Sequence, residues 1–337
     1  MRRLIASFLL AVLSGCAHIS NVSENCTLES SDKAWLDRSI AGWIATRDVI
    51  LAAPTPASQE AVVFDGHCVL RSETAMLTGR PDWASSVIAN GTVRVGQQDI
   101  PIGVVSATIG ENDGARLVIS TPTLWRAGGV PPGNIGLDRL MSAVFMHEAT
   151  HVFQMDTYGR RIQSMVSTYN LSDAEFNDDA IQTRFKNDTA FASSIQREIA
   201  MFFAAADADQ DEEALRLATA ARQMMKERAA RYFVGDQAYQ REAEDLWLTM
   251  EGSAQWAGYR WLQLPIIKGG AGLTDEAARE GFGRRGDYWT QQLGLAITLT
   301  VERLDEGGWK RHLFGDGRLT LLELLDRNLD TGGASPT

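Results

Sequence analysis

Apolar positions recur at helical spacing through most of the chain. Trp35, Ile40, Trp43, Ile44 and Ile50 fall on one side of residues 33–51, which predicts an amphipathic helix closed by Pro54 and Pro56. From Ala61 the texture changes to short β-type runs at 61–64, 68–71, 92–95, 102–108 and 116–121. Asn90-Gly91 and Asp113-Gly114 punctuate them, predicting a small antiparallel or mixed sheet. Pro131-Pro132-Gly133 breaks the chain. A long helix then starts at Gly136, with the stripe Leu137, Leu140, Met141, Val144, Phe145 and Val152. Beyond Met155 helical periods dominate, at 191–206, 212–232, 237–264 (ended by Pro265), 287–304 and 319–325. Residues 269–272 form a glycine loop, and 331–337 read as a disordered tail. The expected class is α+β, with a small β-containing N-terminal lobe (34–156) and a mostly helical C-terminal lobe (157–330) in one domain.

The first residues follow a different logic. Arg2 and Arg3 precede an apolar stretch, Leu4 to Val12, too short to span a bilayer, and Leu13-Ser14-Gly15-Cys16 comes next. This arrangement resembles the signal peptide and lipobox of bacterial lipoproteins. The resemblance implies cleavage after residue 15, acyl chains on Cys16, and a polar tether over 16–33. Ala17, following the cysteine in place of an aspartate, implies sorting to the outer membrane, facing the periplasm. A plain secretory signal or an uncut anchor is the alternative. With Cys16 so used, Cys26 and Cys68 remain as an even pair, expected to be a disulfide in an oxidising compartment, or else two free thiols.

Composition narrows the partners. A net charge of −11 gives no pointer to nucleic acid, which would call for a basic patch. Nine tryptophans and 45% hydrophobic residues can supply a sizeable core. The run Asp207-Ala208-Asp209-Gln210-Asp211 lacks the glycine and closing glutamate of a calcium loop and reads as a solvated turn.

The chemistry-bearing motif is His147-Glu148-Ala149-Thr150-His151, inside the long apolar helix. Residues four apart share a helix face, so both imidazoles can hold one tetrahedral zinc ion. Glu148, offset around the axis, reaches a zinc-bound water and serves as general base when that water attacks a carbonyl. A third ligand is needed. The extended pattern that adds a glycine and a third histidine is excluded, because positions 154 and 157 hold Gln154 and Thr157. Among the other histidines, His18 lies in the tether, His67 beside Cys68, and His312 in a polar stretch that reads as surface. A carboxylate must therefore serve. Glu251, in Trp247-Leu248-Thr249-Met250-Glu251-Gly252-Ser253-Ala254-Gln255-Trp256, is framed by apolar residues that make an unpaired charge costly. Gly252 suits a close crossing of two helices. Asp173, Glu175, Glu198 and Glu244 compete, with Glu244 two turns before Glu251 suited to orient a ligand.

An HExxH helix followed by a helix carrying Glu-Gly-x-Ala-x-aromatic resembles the gluzincins, particularly the peptidase MA-like group. The resemblance covers roughly residues 136–330 and rests on two short motifs. It implies a zincin-like fold, Glu251 as third zinc ligand, and hydrolysis of peptide bonds in a peptide or protein substrate. The step of 100 positions from His151 to Glu251 departs from the family's better-known members, and a helical insertion would fill it. Tyr288 resembles the tyrosine that stabilises the oxyanion in related peptidases; a core tyrosine is the other reading, and Tyr232 and Tyr259 are weaker candidates. The run 115–122 is read as the edge strand of a zincin-type sheet or as a plain structural strand. The rival from another class is a non-enzymatic lipoprotein, a scaffold or adhesin keeping a structural zinc.

Overall fold

A computed structural model describes residues 26–53, 59–111, 114–172, 175–283, 288–305 and 307–332. Cys16, the expected signal segment, most of the expected tether, Asp173 and residues 333–337 lie outside the described residues. In chain order the elements are α1 (Ser30–Ala45), β1 (Gln59–Phe64), β2 (Cys68–Ser72), α2 (Ala75–Thr78), β3 (Ala84–Val87), β4 (Thr92–Val95), β5 (Gln98–Pro101), β6 (Ser106–Glu111), β7 (Gly114–Ser120), α3 (Pro122–Ala127) and α4 (Leu137–Gln154). There follow α5 (Arg160–Tyr169), α6 (Ala180–Phe185), α7 (Thr189–Ala206), α8 (Asp211–Tyr232), α9 (Gln240–Gln263), α10 (Asp275–Ala278), α11 (Trp289–Leu304), α12 (Trp309–Arg311) and α13 (Leu321–Gly332). The class is α+β. No helix of the described residues is long and apolar enough to cross a membrane.

Two compact units divide the chain, one of Met1–Met155 with Ala257–Phe282, the other of Asp156–Trp256 with Gly283–Thr337. In the first, a mixed sheet runs in the order β3-β2-β1-β7-β6; β1 and β7 are parallel and the other neighbours antiparallel. Val63 stands opposite Leu70 on one side and Ile119 on the other. The two parallel strands are buried almost throughout, which is why they read as continuous apolar runs. Val62, Phe64, Val69 and Val118 share a core with Val93, Val95 and Ile100 of the β4–β5 hairpin. α4 packs on β6 and β7, and α1 lies along α4. Trp35 meets Phe145 edge-on at 6.3 Å, Trp43 meets Phe153 at 5.7 Å, and the Ser39 and Ser142 hydroxyls bond at 2.9 Å. Cys26 and Cys68 are joined by a disulfide. Closing a loop of that length stabilises by about 3–4 kcal/mol in the chain-entropy model.

Three expectations need correction here. The segment 115–122 is not an edge: β7 pairs on both sides, and β6 is the outer strand. The end of the expected tether belongs to the fold, since α1 begins at Ser30 and Asp32 is buried, accepting a hydrogen bond from the Thr123 amide. The helical lobe does not take all of 157–330. Ala257–Phe282 packs in the first unit, where a Cβ on Gly258 would lie 2.6 Å from the Ala143 carbonyl oxygen and one on Gly42 2.5 Å from the Trp261 indole nitrogen.

The second unit is helical, with α7, α8, α11 and α13 packed together and α11 crossing α9. Its centre is polar and paired. Arg228 holds Glu198 through two parallel bonds of 2.8 Å and forms an ion pair with Glu244 at 2.8 Å, all three side chains buried. Phe191 lies over the guanidinium at 5.0 Å. His312 is also inside, contrary to its polar neighbours, with Nδ1 3.1 Å from an Asp316 oxygen.

α9 and α11 cross closely at Gly252. A Cβ there would lie 2.4 Å from the Gly294 carbonyl carbon, and backbone cannot rotate away. Gly252→Ala would gain about 1 kcal/mol of helix propensity. Forcing the two helices apart should cost more, about 1–3 kcal/mol net or beyond. Thermal unfolding should show a lowered midpoint; a midpoint at or above wild type contradicts the close crossing.

Candidate metal centre

Two helices bring the motif and Glu251 together. On α4, Ala143, His147 and His151 follow at intervals of four and occupy one face. On α9, Glu251 and Gly258 are seven apart and also share a face. The helices touch where Gly258 meets the Ala143 carbonyl. One to two turns onward along α4 stand the imidazoles, and two turns back along α9 stands Glu251, about 10 Å at 1.5 Å per residue.

The result is a buried cluster of His147, His151 and Glu251, with one ligand atom of each within 4.8 Å of the others. The two imidazole Nε2 atoms face each other at 3.1 Å. Two nitrogens bound to one tetrahedral zinc at 2.0–2.1 Å would stand about 3.4 Å apart, so the spacing suits a shared ion. Gln154 Oε1 faces His151 Nδ1 at 2.9 Å, which places the ring proton on Nδ1 and leaves the Nε2 lone pair toward His147. A lone pair on His151 Nε2, the His147 ring nitrogen opposite it and a buried carboxylate form a donor set that fits a cation. The cluster can hold a metal ion.

Around it stand residues that the sequence reading did not single out. Thr108, on the edge strand β6, donates to the Glu148 carbonyl oxygen at 2.5 Å and stands 3.5 Å from Glu148 Oε2, tying the motif helix to the sheet. Gln291 of α11 approaches Glu251 Oε2 at 3.4 Å. Asp179, before α6, has its pKa raised by burial and by the Glu251 charge nearby. Gln154 was legible as an i, i+3 neighbour of His151 on a helix; Asp179, Gln291 and Thr108 become neighbours only through the fold.

The competing carboxylates have other partners. Glu198 and Glu244 are taken by Arg228, and burial pushes Glu244 upward against the pull of that arginine. Glu175 is exposed and accepts from the Ser172 amide and hydroxyl, which lower its pKa. Glu148 is buried beside the imidazoles on α4. Tyr288 sits immediately before α11 with its side chain partly in solvent. Tyr259 is bonded to Asp275 and Arg279, with burial pushing it up to about 12. Tyr232 packs edge-on against Phe191 at 5.0 Å.

No family model matches the chain, and no curated protein or solved structure matches it either.

Proposed function

We propose that this chain is a zinc-dependent peptidase with a zincin-like fold, resembling the gluzincins. The observation that carries the reading is the opposed pair of imidazoles with Glu251 beside them and Glu148 one residue along the same helix. His147, His151 and Glu251 would hold the ion and leave a position open, as catalytic zinc sites do. Zinc bound there would polarise a carbonyl and lower the pKa of water to about 7.

The protein's own groups do the rest. Glu148 takes a proton from the attacking water on its carboxylate while the new C–O bond forms. It then passes that proton to the departing nitrogen as the C–N bond breaks. Thr108 keeps Glu148 in place through the backbone, and Tyr288 is the proposed donor to the oxyanion. β6, the outer strand beside α4, offers an edge on which an extended peptide can add. The substrate is a peptide or protein. By its lipobox the chain is exported and held by acyl chains on Cys16, at the outer membrane facing the periplasm.

Zinc titration of the chelator-stripped protein tests the site. One ion per chain is expected, and His147→Ala and His151→Ala should each abolish stoichiometric binding. Undiminished binding in either variant would place the metal elsewhere.

A further inference from the structure

After α9 the chain turns through residues 265–272, with a braced frame and a bare tip. Lys268 N donates to the Pro265 carbonyl at 2.8 Å, Gly269 N to Ile266 at 2.9 Å, and the Trp261 indole to the Gly269 carbonyl at 3.0 Å. Gly269 takes φ +86°, and a Cβ on Gly270 would strike the Leu264 carbonyl oxygen at 2.1 Å. The turn is thus held in one shape, and that shape displays Ile266 at 72% and Ile267 at 94% exposure. They are the most exposed large apolar side chains among the described residues. Single exposed apolar residues are ordinary; an adjacent pair fixed at the tip of a rigid turn is not.

Beside the turn, within the same unit, lies a cavity of about 750 Å³ that includes Trp261 and Ile266 in its lining. Arg38, Arg126 and Arg139 line it with a single carboxylate, Asp138. Asp138 is shared by Arg38 and Arg126 at 3.2 Å each, and Arg139 makes no ion pair among the described residues. Lys268 adds a fourth cation next to Ile267. Three arginines against one carboxylate in the cavity lining, on a chain of net −11, mark a local reversal of sign.

We propose that this face docks on an anionic lipid bilayer. Ile266 and Ile267 enter the boundary between headgroups and acyl chains, while Arg38, Arg126, Arg139 and Lys268 meet lipid phosphates. The cavity receives one phosphodiester headgroup. A bilayer fits better than a peptide because the turn spends its amides on its own carbonyls and presents apolar side chains at a projecting tip. The contact is separate from the metal centre and from any acyl chain on Cys16.

The test uses the full chain with Cys16→Ser, so that a single introduced thiol takes an environment-sensitive dye while Cys26 and Cys68 stay bonded. Dye is placed at Ile267→Cys or, for comparison, at Val49→Cys, another exposed site in the same unit. On phosphatidylglycerol-containing vesicles the label at 267 should shift to the blue and brighten several-fold while that at 49 stays aqueous. This comparison discounts binding through the N-terminal apolar segment, which would carry both labels to the vesicle alike. Replacing Arg38, Arg126 and Arg139 together by Gln should weaken that response on the order of a hundredfold. Equal signals at 267 and 49, or an equal response on purely zwitterionic vesicles, overturn the proposal. A blue shift that grows with protein concentration without lipid would instead assign the turn to a second copy of the chain.

Discussion

Glu148→Gln is expected to lower peptide hydrolysis by about 10²–10⁴-fold, the usual contribution of a positioned general base. The amide has the shape of the carboxylate but cannot accept the proton of the attacking water. Its principal tether should survive, because Thr108 donates to the backbone carbonyl of residue 148. Zinc stoichiometry and unfolding temperature should therefore match wild type. The loss should appear in kcat, with little change in KM, since the missing interaction belongs to the transition state. A variant retaining near wild-type turnover would remove Glu148 from the chemistry; one that has also lost zinc would show that the substitution damaged the site itself.

Glu251→Ala is expected to weaken zinc binding by more than the 10–100-fold that partners outside the ligand set typically cost. Two imidazoles alone cannot complete three protein corners of a tetrahedron. The metal-free fold should tolerate the change, because it removes one of two neighbouring carboxylates, Asp179 being the other. Two comparisons grade the effect. Gln154→Ala frees the His151 ring without removing a ligand, and should cost affinity only within that 10–100-fold range. Glu244→Ala strips one carboxylate from buried Arg228 and should show instead as lost stability, up to about 3–5 kcal/mol, with zinc affinity little changed. Direct zinc titration with thermal unfolding separates the three variants. Equal zinc affinity in Glu251→Ala and wild type would end the assignment of that residue.

Much of this fold can be read from periodicity wherever an element buries one stripe. α4, α7, α8, α9 and α11 begin and end within a few residues of their apolar patterns, because each packs a continuous face. Elements without such a face escaped. β3, Ala84–Val87, is a half-exposed edge strand of small residues, and α5 buries only Ile162 and Met165. His312 reads as a surface residue because its sequence neighbours are charged, whereas the fold buries it with Trp309 and Phe314.

The candidate site divides in the same way. His147, His151 and Glu148 follow from helix geometry alone, and Glu251 from the cost of an apolar frame around a charge. What sequence could not supply was the pairing that occupies Glu198 and Glu244, since Arg228 reaches them only through the packing of the second unit. Nor could it reveal the outer position of β6, which depends on β7 pairing in parallel with β1 across fifty residues of chain.

The proposed activity is zinc-dependent hydrolysis at this cluster. Its most direct test is cleavage profiling of the full chain against a diverse peptide mixture, repeated after chelation, after return of one equivalent of zinc, and with Glu148→Gln. A defined set of cleaved bonds should disappear with the chelator, return with zinc and be absent from the variant. Stoichiometric zinc without any cleavage, or the same cleavages from Glu148→Gln, would contradict it and leave a structural metal in a non-enzymatic protein.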